Sequence, residues 1–137
     1  MPTATLGSAV VDASAIVRRL RREPAALAWF EGARSAATEL RAPSLLALEV
    51  GNALLGYVRA GAISARSAQL GLRWTVYVVA LVDVTPLSAR ALDLALERDI
   101  TTYDAAYVVL AERTSAPLVT ADRRLASATP NAVLIAD

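Results

Sequence analysis

The chain of 137 residues contains no histidine, no cysteine and no lysine, and these absences restrict its chemistry. A serine or cysteine nucleophile normally relies on a histidine or lysine base, so hydrolases with a catalytic triad are excluded. Walker-type phosphate loops and Schiff-base enzymes are excluded because both need a lysine. Metal sites with thiolate or imidazole ligands are excluded as well. Any catalysis must therefore use carboxylates, hydroxyls and arginines.

Long apolar runs and a targeting segment are also absent. Although 55% of the residues are hydrophobic, no run approaches the roughly 18 residues that span a bilayer. The segment Met1–Gly7 has no basic region ahead of an apolar stretch, so it does not resemble a signal peptide. We expect a soluble, cytosolic protein, although a lack of cysteine excludes no compartment. The length predicts one domain over residues 1–137.

Four of the acidic residues lie where a strand or a helix would carry a carboxylate to a common edge. Asp12 ends the apolar run 8–11, Asp104 lies in the first turn of a predicted helix, and Asp122 follows another apolar run. Glu49 lies within a predicted helix, among apolar residues that make an unpaired charge costly. Oxygen ligands bind hard cations, which are often completed by a substrate phosphate. We therefore predict a site for Mg²⁺ or Mn²⁺ and a phosphate-bearing substrate.

The order of apolar and amphipathic segments predicts an α/β fold with three α/β/α layers and a central five-stranded parallel sheet. In such sheets ligands bind beyond the carboxyl ends of the strands, where Asp12 and Asp122 fall. The predicted strands are 8–11, 40–43, 82–84, 116–120 and 132–135. Seven helices are predicted, and they begin at residue 13, at Pro24, at residue 45, after Ser64, at residue 85, after Thr101 or Thr102, and after Asp122. Ser44 and Ser64 are the predicted caps of the third and fourth helices. The fourth helix is predicted to carry Leu70, Trp74, Tyr77 and Leu81.

Four segments resemble, in order, the motifs of PIN-domain ribonucleases, and the match covers essentially the whole chain. In its compact length and its Asp-Ala-x-Tyr helix, the chain is most similar to the VapC toxins of bacterial toxin–antitoxin pairs. Those toxins are Mg²⁺- or Mn²⁺-dependent endoribonucleases that a cognate antitoxin holds inactive. The segments are Val10-Val11-Asp12-Ala13-Ser14-Ala15, Leu48-Glu49-Val50-Gly51-Asn52-Ala53-Leu54, Thr102-Tyr103-Asp104-Ala105-Ala106-Tyr107 and Leu118-Val119-Thr120-Ala121-Asp122.

The resemblance implies a role for each candidate site residue. Asp12 and Asp104 would be direct metal ligands, and Asp122 would hold a second ion or lie in an outer shell. Glu49 would bind metal or position the attacking water. Thr120 would be a polar support, and Asn52 an outer-shell or substrate contact. RNA cleavage is expected to leave a 5′-phosphate and a 3′-hydroxyl. The implied partners are an RNA substrate, a VapB-like antitoxin and a second copy of the chain.

Each site residue also has a purely structural interpretation. Asp12 and Asp122 could cap helices, and Asp104 could complement a helix dipole. Glu49 could lie on the exposed face of an amphipathic helix. Thr120 could be an ordinary hydroxyl at the end of a strand, and Asn52 could satisfy a backbone group.

Other interpretations remain open for the whole chain and for two residue groups. The chain could be a housekeeping PIN nuclease, a silent PIN binding module or a receiver-like signalling domain, although receivers rely on a lysine. A small antitoxin-like reading frame upstream would favour the toxin. A group of four arginines could contact RNA or form a solvated face. A group of four aromatic residues could lie in the core or, as the resemblance implies, line an antitoxin groove. These residues are Arg18, Arg19, Arg21 and Arg22, and Trp29, Phe30, Trp74 and Tyr77.

Overall fold

Five short parallel strands form the centre of the computed structural model, which describes residues 7–136. The strands are β1 (Ser8–Val11), β2 (Glu39–Pro43), β3 (Val79–Val82), β4 (Leu118–Thr120) and β5 (Ala132–Leu134). The helices are α1 (Ala13–Leu20), α2 (Pro24–Ser35), α3 (Leu46–Arg59), α4 (Ala65–Val78), α5 (Ser88–Arg98), α6 (Thr102–Thr114) and α7 (Arg123–Ser127), and a 3-10 turn spans Thr85–Leu87. The predicted α/β fold with a five-stranded parallel sheet is confirmed.

The strand order β3-β2-β1-β4-β5 places β1 in the middle of the sheet. β1 pairs with β4 so that Val11 lies opposite Val119. The residue after Val11 is Asp12 and the residue after Val119 is Thr120, so these two residues lie side by side at the same edge of the sheet. This register, rather than sequence proximity, brings the two polar side chains together.

Helix α6 is the most deeply buried helix of the described chain. Every residue from Ala105 to Ala111 is buried, because nearly all of that stretch is apolar. α6 packs against β1, β2 and β4, with α5 beside it, whereas α1 contacts β4, α2 and α3. Asp104 lies in the first turn of α6.

The third strand differs from its prediction. It comprises Val79–Val82 rather than 82–84, so Leu81 belongs to β3 and not to α4. The apolar run through this region is compatible with either a helix or a strand by periodicity alone. Pairing with β2, in which Leu40 lies opposite Val79, determines the outcome.

The predicted helix caps are confirmed with one exception. Asp12, Ser64 and Thr101 each accept a hydrogen bond from the first turn of the helix that follows. Ser44 was wrongly predicted to cap α3, because the helix begins at Leu46 without a side-chain cap. The Ser44 amide instead donates to the carbonyl oxygen of Val82 at 2.7 Å, joining the ends of β2 and β3.

Within residues 7–136, none of the helices is long and apolar enough to cross a membrane. The expectation for the N-terminal segment falls mainly on residues 1–6, which lie outside the described residues.

Candidate active site

Asp12 is a buried carboxylate held by three hydrogen-bond donors. It follows β1, caps α1, and its exposed fraction is only 5%. Its Oδ1 accepts from the Ala15 amide at 2.9 Å and from the Ser14 hydroxyl at 2.7 Å. Its Oδ2 accepts from the Thr120 hydroxyl at 2.5 Å. Asp12 does cap a helix, and the additional hydroxyl contacts fix both of its oxygens in one orientation.

Ser14 and Thr120 connect the two strand–helix junctions of the site. The Ala121 amide donates to Ser14 Oγ at 2.9 Å, and the Asp122 amide donates to Thr120 Oγ1 at 3.0 Å. Thr120 therefore contacts Asp12, as a support would. The sequence-based site did not include Ser14, although its position two residues after the capping Asp12 was a usable signal.

Glu49 is partly buried on α3 and is held by a tyrosine from α6. The Tyr107 hydroxyl donates to Glu49 Oε1 at 2.6 Å, and Tyr107 itself is only 1% exposed. Tyr107 was also missing from the predicted site. It lies three residues after Asp104, so both side chains share one face of α6. That spacing was the signal in the sequence.

The other predicted site residues, Asp104, Asp122 and Asn52, differ in their burial and in their hydrogen-bond partners. Asp104 is partly buried in the first turn of α6, and its amide donates to Thr101 Oγ1 at 3.0 Å. Asp122 is exposed and caps α7, its Oδ1 accepting from the amides of Arg124 and Leu125 at 2.9 and 3.2 Å. Asn52 is exposed on α3, three residues after Glu49.

The pKa values of Asp12, Glu49 and Asp104 are all raised, and a neighbouring carboxylate contributes to each shift. Burial raises the pKa of Asp12, and the charge of Asp104 raises it further against the lowering effect of its hydrogen bonds. Burial also raises the pKa of Glu49, to which Asp104 and Asp12 add. The pKa of Asp104 is raised by burial and then by Asp122. Ionisation of each of these three carboxyls is therefore disfavoured by a neighbouring carboxylate.

The side chains of this site offer carboxylate and hydroxyl oxygens as metal ligands, and such oxygen ligands suit a hard cation. Within residues 7–136, however, no three acidic side chains are gathered closely enough to form a ready-made metal cage. Mg²⁺ does not require such a cage, because it usually keeps several waters and binds one or two carboxylates. A cation would also relieve the repulsion that raises the carboxyl pKa values.

The arginines of α1 and the segment after it are largely engaged within the chain. Arg18 and Arg21 approach Glu23 at 3.2 and 3.8 Å. Arg19 lies 5.0 Å over the Trp74 ring. These contacts do not test the predicted contact with RNA.

The aromatic residues divide between the core and the surface. Phe30 is buried and packs edge-on against Trp74, with 6.1 Å between ring centroids, whereas Tyr77 is 88% exposed. Phe30 and Trp74 line a groove of about 370 Å³ between α2, α4 and β2, which we call the aromatic groove. Leu27, Leu40 and Val78 also line it.

Comparison with known proteins gives a consistent family assignment. The sequence profile described as PIN domain matches residues 9–129. Ribonuclease VapC3 from Pyrobaculum aerophilum is 39% identical over 128 residues, which cover 88% of this chain and 94% of that protein.

Solved structures give the same fold. The crystal structure of PAE2754 from Pyrobaculum aerophilum superposes with a TM-score of 0.76 at 29% identity, covering 94% of this chain and 91% of that one. VapBC2 from Rickettsia felis, solved bound to a DNA fragment from its promoter, superposes with a TM-score of 0.69 at 15% identity, covering 93% and 96%.

Proposed function

This chain belongs to the PIN-domain family, and we propose that it is a divalent-metal-dependent endoribonuclease that serves as the toxin of a toxin–antitoxin pair. One observation carries the proposal. A buried, triply hydrogen-bonded Asp12 shares its electrostatic environment with Glu49 and Asp104, although the three residues come from different elements of the fold. Repulsion between carboxylates destabilises a fold. A bound cation would offset that repulsion, so the arrangement is typical of a cation-binding site.

The residues that would hold Mg²⁺ or Mn²⁺ are Asp12 and Asp104, with Asp122 binding a second ion or lying in an outer shell. When bound, such an ion lowers the pKa of a coordinated water and stabilises charge on the attacking and leaving oxygens of a phosphodiester. The similarity to a protein named Ribonuclease VapC3 supports RNA as the substrate.

The other side chains would position this machinery. Thr120 and Ser14 hold Asp12 by donating to separate oxygens, so the carboxylate cannot rotate away from the edge of the sheet. Tyr107 holds Glu49, which would bind metal or orient the attacking water. Asn52, which is exposed one turn further along α3, would contact substrate. The expected products carry a 5′-phosphate and a 3′-hydroxyl.

Cleavage of RNA by the purified chain tests the activity. The assay compares Mg²⁺, Mn²⁺ and chelator, and it includes an Asp12→Asn variant purified identically to exclude a contaminating nuclease. We expect cleavage only when both the metal and Asp12 are present. Cleavage that persists in chelator, or equally in the variant, would overturn the metal-dependent mechanism.

The toxin role predicts two protein partners, a VapB-like antitoxin and a second copy of this chain, within the cytoplasm. The aromatic groove supports the first, because the partly exposed Leu27, Trp74 and Val78 offer an apolar surface to a partner segment. The product of a small reading frame directly upstream should bind this chain and inhibit cleavage, and Trp74→Ala should weaken that inhibition. An active enzyme without such a neighbouring inhibitor would favour the housekeeping nuclease.

A further inference from the structure

A second open groove lies beside the acidic site. It has a volume of about 530 Å³ and is lined by Arg98, Ile100, Arg124, Ser127, Ala128 and Pro130. We call it the arginine groove. Its walls come from the end of α5, from the segment that leads into α6, and from α7 with the loop after it. Its volume is within the range of small-molecule binding sites.

The arginine groove adjoins the candidate active site through both of its neighbouring helices. Ile100 precedes the cap of α6, whose first turn carries Asp104, and Arg124 lies two residues after Asp122. The positive charge of Arg124 lowers the pKa of Asp104 against the raising effects of burial and Asp122. The guanidinium is therefore near enough to interact with an acid of the site.

The two arginines of this groove differ in how far their side chains are exposed. The Arg98 side chain is 27% exposed. Its Nη1 donates to the Ala128 carbonyl oxygen at 2.9 Å, and its Nη2 donates to Glu112 Oε1 at 3.5 Å, so both contacts hold it in the wall. The Arg124 side chain is 77% exposed and donates to the Asp99 carbonyl oxygen at 2.8 Å. Its ion pair with the fully exposed Asp99 carboxylate, at 3.9 Å, is weak. An arginine has five donors, so each retains capacity for a ligand.

Electrostatics make a cationic groove useful at this position. The net charge of the chain is only +1, and a cluster of carboxylates repels a polyanion that approaches it. Arg18, Arg19 and Arg21 are engaged with Glu23 and Trp74. Arg98 and Arg124 line one groove together, and guanidinium groups bind phosphate through paired hydrogen bonds.

We propose that the arginine groove binds a backbone phosphate of the RNA strand that flanks the cleaved phosphodiester. This inference rests on the proposed function, because it assumes that the strand passes the acidic site. Arg98 contributes from the more buried wall of the groove, and Arg124 contacts the phosphate from the exposed side. The groove supplies attraction that is independent of the base sequence, since phosphate contacts position a strand without reading it.

Binding of a fluorescein-labelled polyuridylate of twelve nucleotides, measured by anisotropy in chelator over a salt series, tests the inference. The variants are Arg124→Gln and a matched control, Arg66→Gln, on α4 away from the groove. We expect Arg124→Gln to weaken binding roughly tenfold. It should also reduce the slope of log affinity against log salt by about 0.7, the value for one phosphate contact to a single strand. Arg66→Gln should leave both values unchanged.

Equal affinities and slopes in the wild type and both variants would overturn the inference. Uridine 5′-monophosphate is a second probe, and binding as tight as that of the oligonucleotide would assign the groove to free nucleotides instead. Wild-type cleavage, measured with Mg²⁺ on RNA, separates the two proposals. If the wild type cleaves RNA but Arg124→Gln binds the oligonucleotide as tightly as the wild type, only the phosphate-site proposal is refuted. If Arg124→Gln weakens binding but the wild type does not cleave RNA, the nuclease proposal is contradicted and the phosphate site stands.

Discussion

Two junctions of the sheet share a local sequence pattern but differ in environment. At each, a buried strand ends, an aspartate follows, and that aspartate caps the next helix. Asp12 is 5% exposed and accepts hydrogen bonds from Ser14, Ala15 and Thr120. Asp122 is exposed, and its Oδ1 accepts from two backbone amides of α7.

The difference follows from the position of each strand. β1 lies in the middle of the sheet between β2 and β4, whereas β4 lies next to the edge strand β5. The register of β1 with β4 also places Thr120 against Asp12. A capping aspartate thus becomes a buried site residue only where neighbouring strands surround it. Charge-removing variants at the two junctions should therefore have unequal effects.

The largest expected effect is the loss of RNA cleavage in Asp12→Asn. Loss of an outer-shell partner of a metal ligand typically costs about 10–100-fold, so loss of a ligand should cost more than about 100-fold. Asp122→Asn, at the exposed junction, should cost about tenfold or less. Cleavage rates with Mg²⁺ measure both, and Asp93→Asn on the exposed face of α5 is the matched control. Equal losses at Asp12 and Asp122 would contradict the comparison.

The next largest effect is expected for Ser14→Ala, which removes the hydroxyl that joins the two junctions. That hydroxyl donates to Asp12 and accepts from Ala121. We expect cleavage to fall about 10–100-fold, as for other outer-shell partners. Ser35→Ala, at the exposed end of α2, is the control. If Ser14→Ala and Ser35→Ala were equally active, the position of Asp12 would not depend on Ser14.

At the exposed junction, capping can be separated from charge by two substitutions. Asp122→Ala should lower the free energy of unfolding by about 1 kcal/mol, because α7 loses its cap. Asp122→Asn should retain most of that stability, because asparagine is as good a cap as aspartate. Urea denaturation in chelator measures both variants. Equal stability of the alanine and asparagine variants would show that the hydrogen bonds to Arg124 and Leu125 contribute little.

The smallest effect concerns the pH dependence of stability in the absence of metal. The raised pKa values of Asp12, Glu49 and Asp104 mean that these carboxyls bind protons more readily in the folded than in the unfolded state. Their ionisation therefore destabilises the fold above the folded pKa, and this penalty is lost as pH falls toward the ordinary carboxyl value of about 4.

Asp12→Asn isolates that penalty. In chelator it should be more stable than the wild type near neutral pH, and the difference should shrink as the solution is acidified. Urea denaturation at a series of pH values measures this difference. A gap that widens with acidification would have the wrong sign for a raised pKa at Asp12.

Much of the fold was predictable because its signals are local. The apolar run before Asp12, the caps at Ser64 and Thr101, and the proline at the start of α2 each depend on neighbouring residues. The third strand was not predictable, because an apolar run after α4 satisfies both periodicities. Its pairing with β2, a contact distant in sequence, selects the strand.

The candidate site was predictable in its acids but not in its supports. Asp12, Glu49 and Asp104 stood out because charge is unusual beside apolar runs. Ser14 and Tyr107 did not stand out, because a serine in a first helical turn and a tyrosine in a buried helix are ordinary. They join the candidate site only through the side chains that they contact, Asp12 and Glu49.

The sequence by itself determined the class of chemistry, since a chain without histidine, cysteine and lysine has only oxygen donors and arginines to use. It also determined the alternation of strands and helices through periodicity and caps. Only the tertiary structure decided which acids are buried, which hydroxyls hold them, and that Arg98 and Arg124 line a groove beside them. Burial and charge proximity depend on strand register and helix packing, which join residues far apart along the chain.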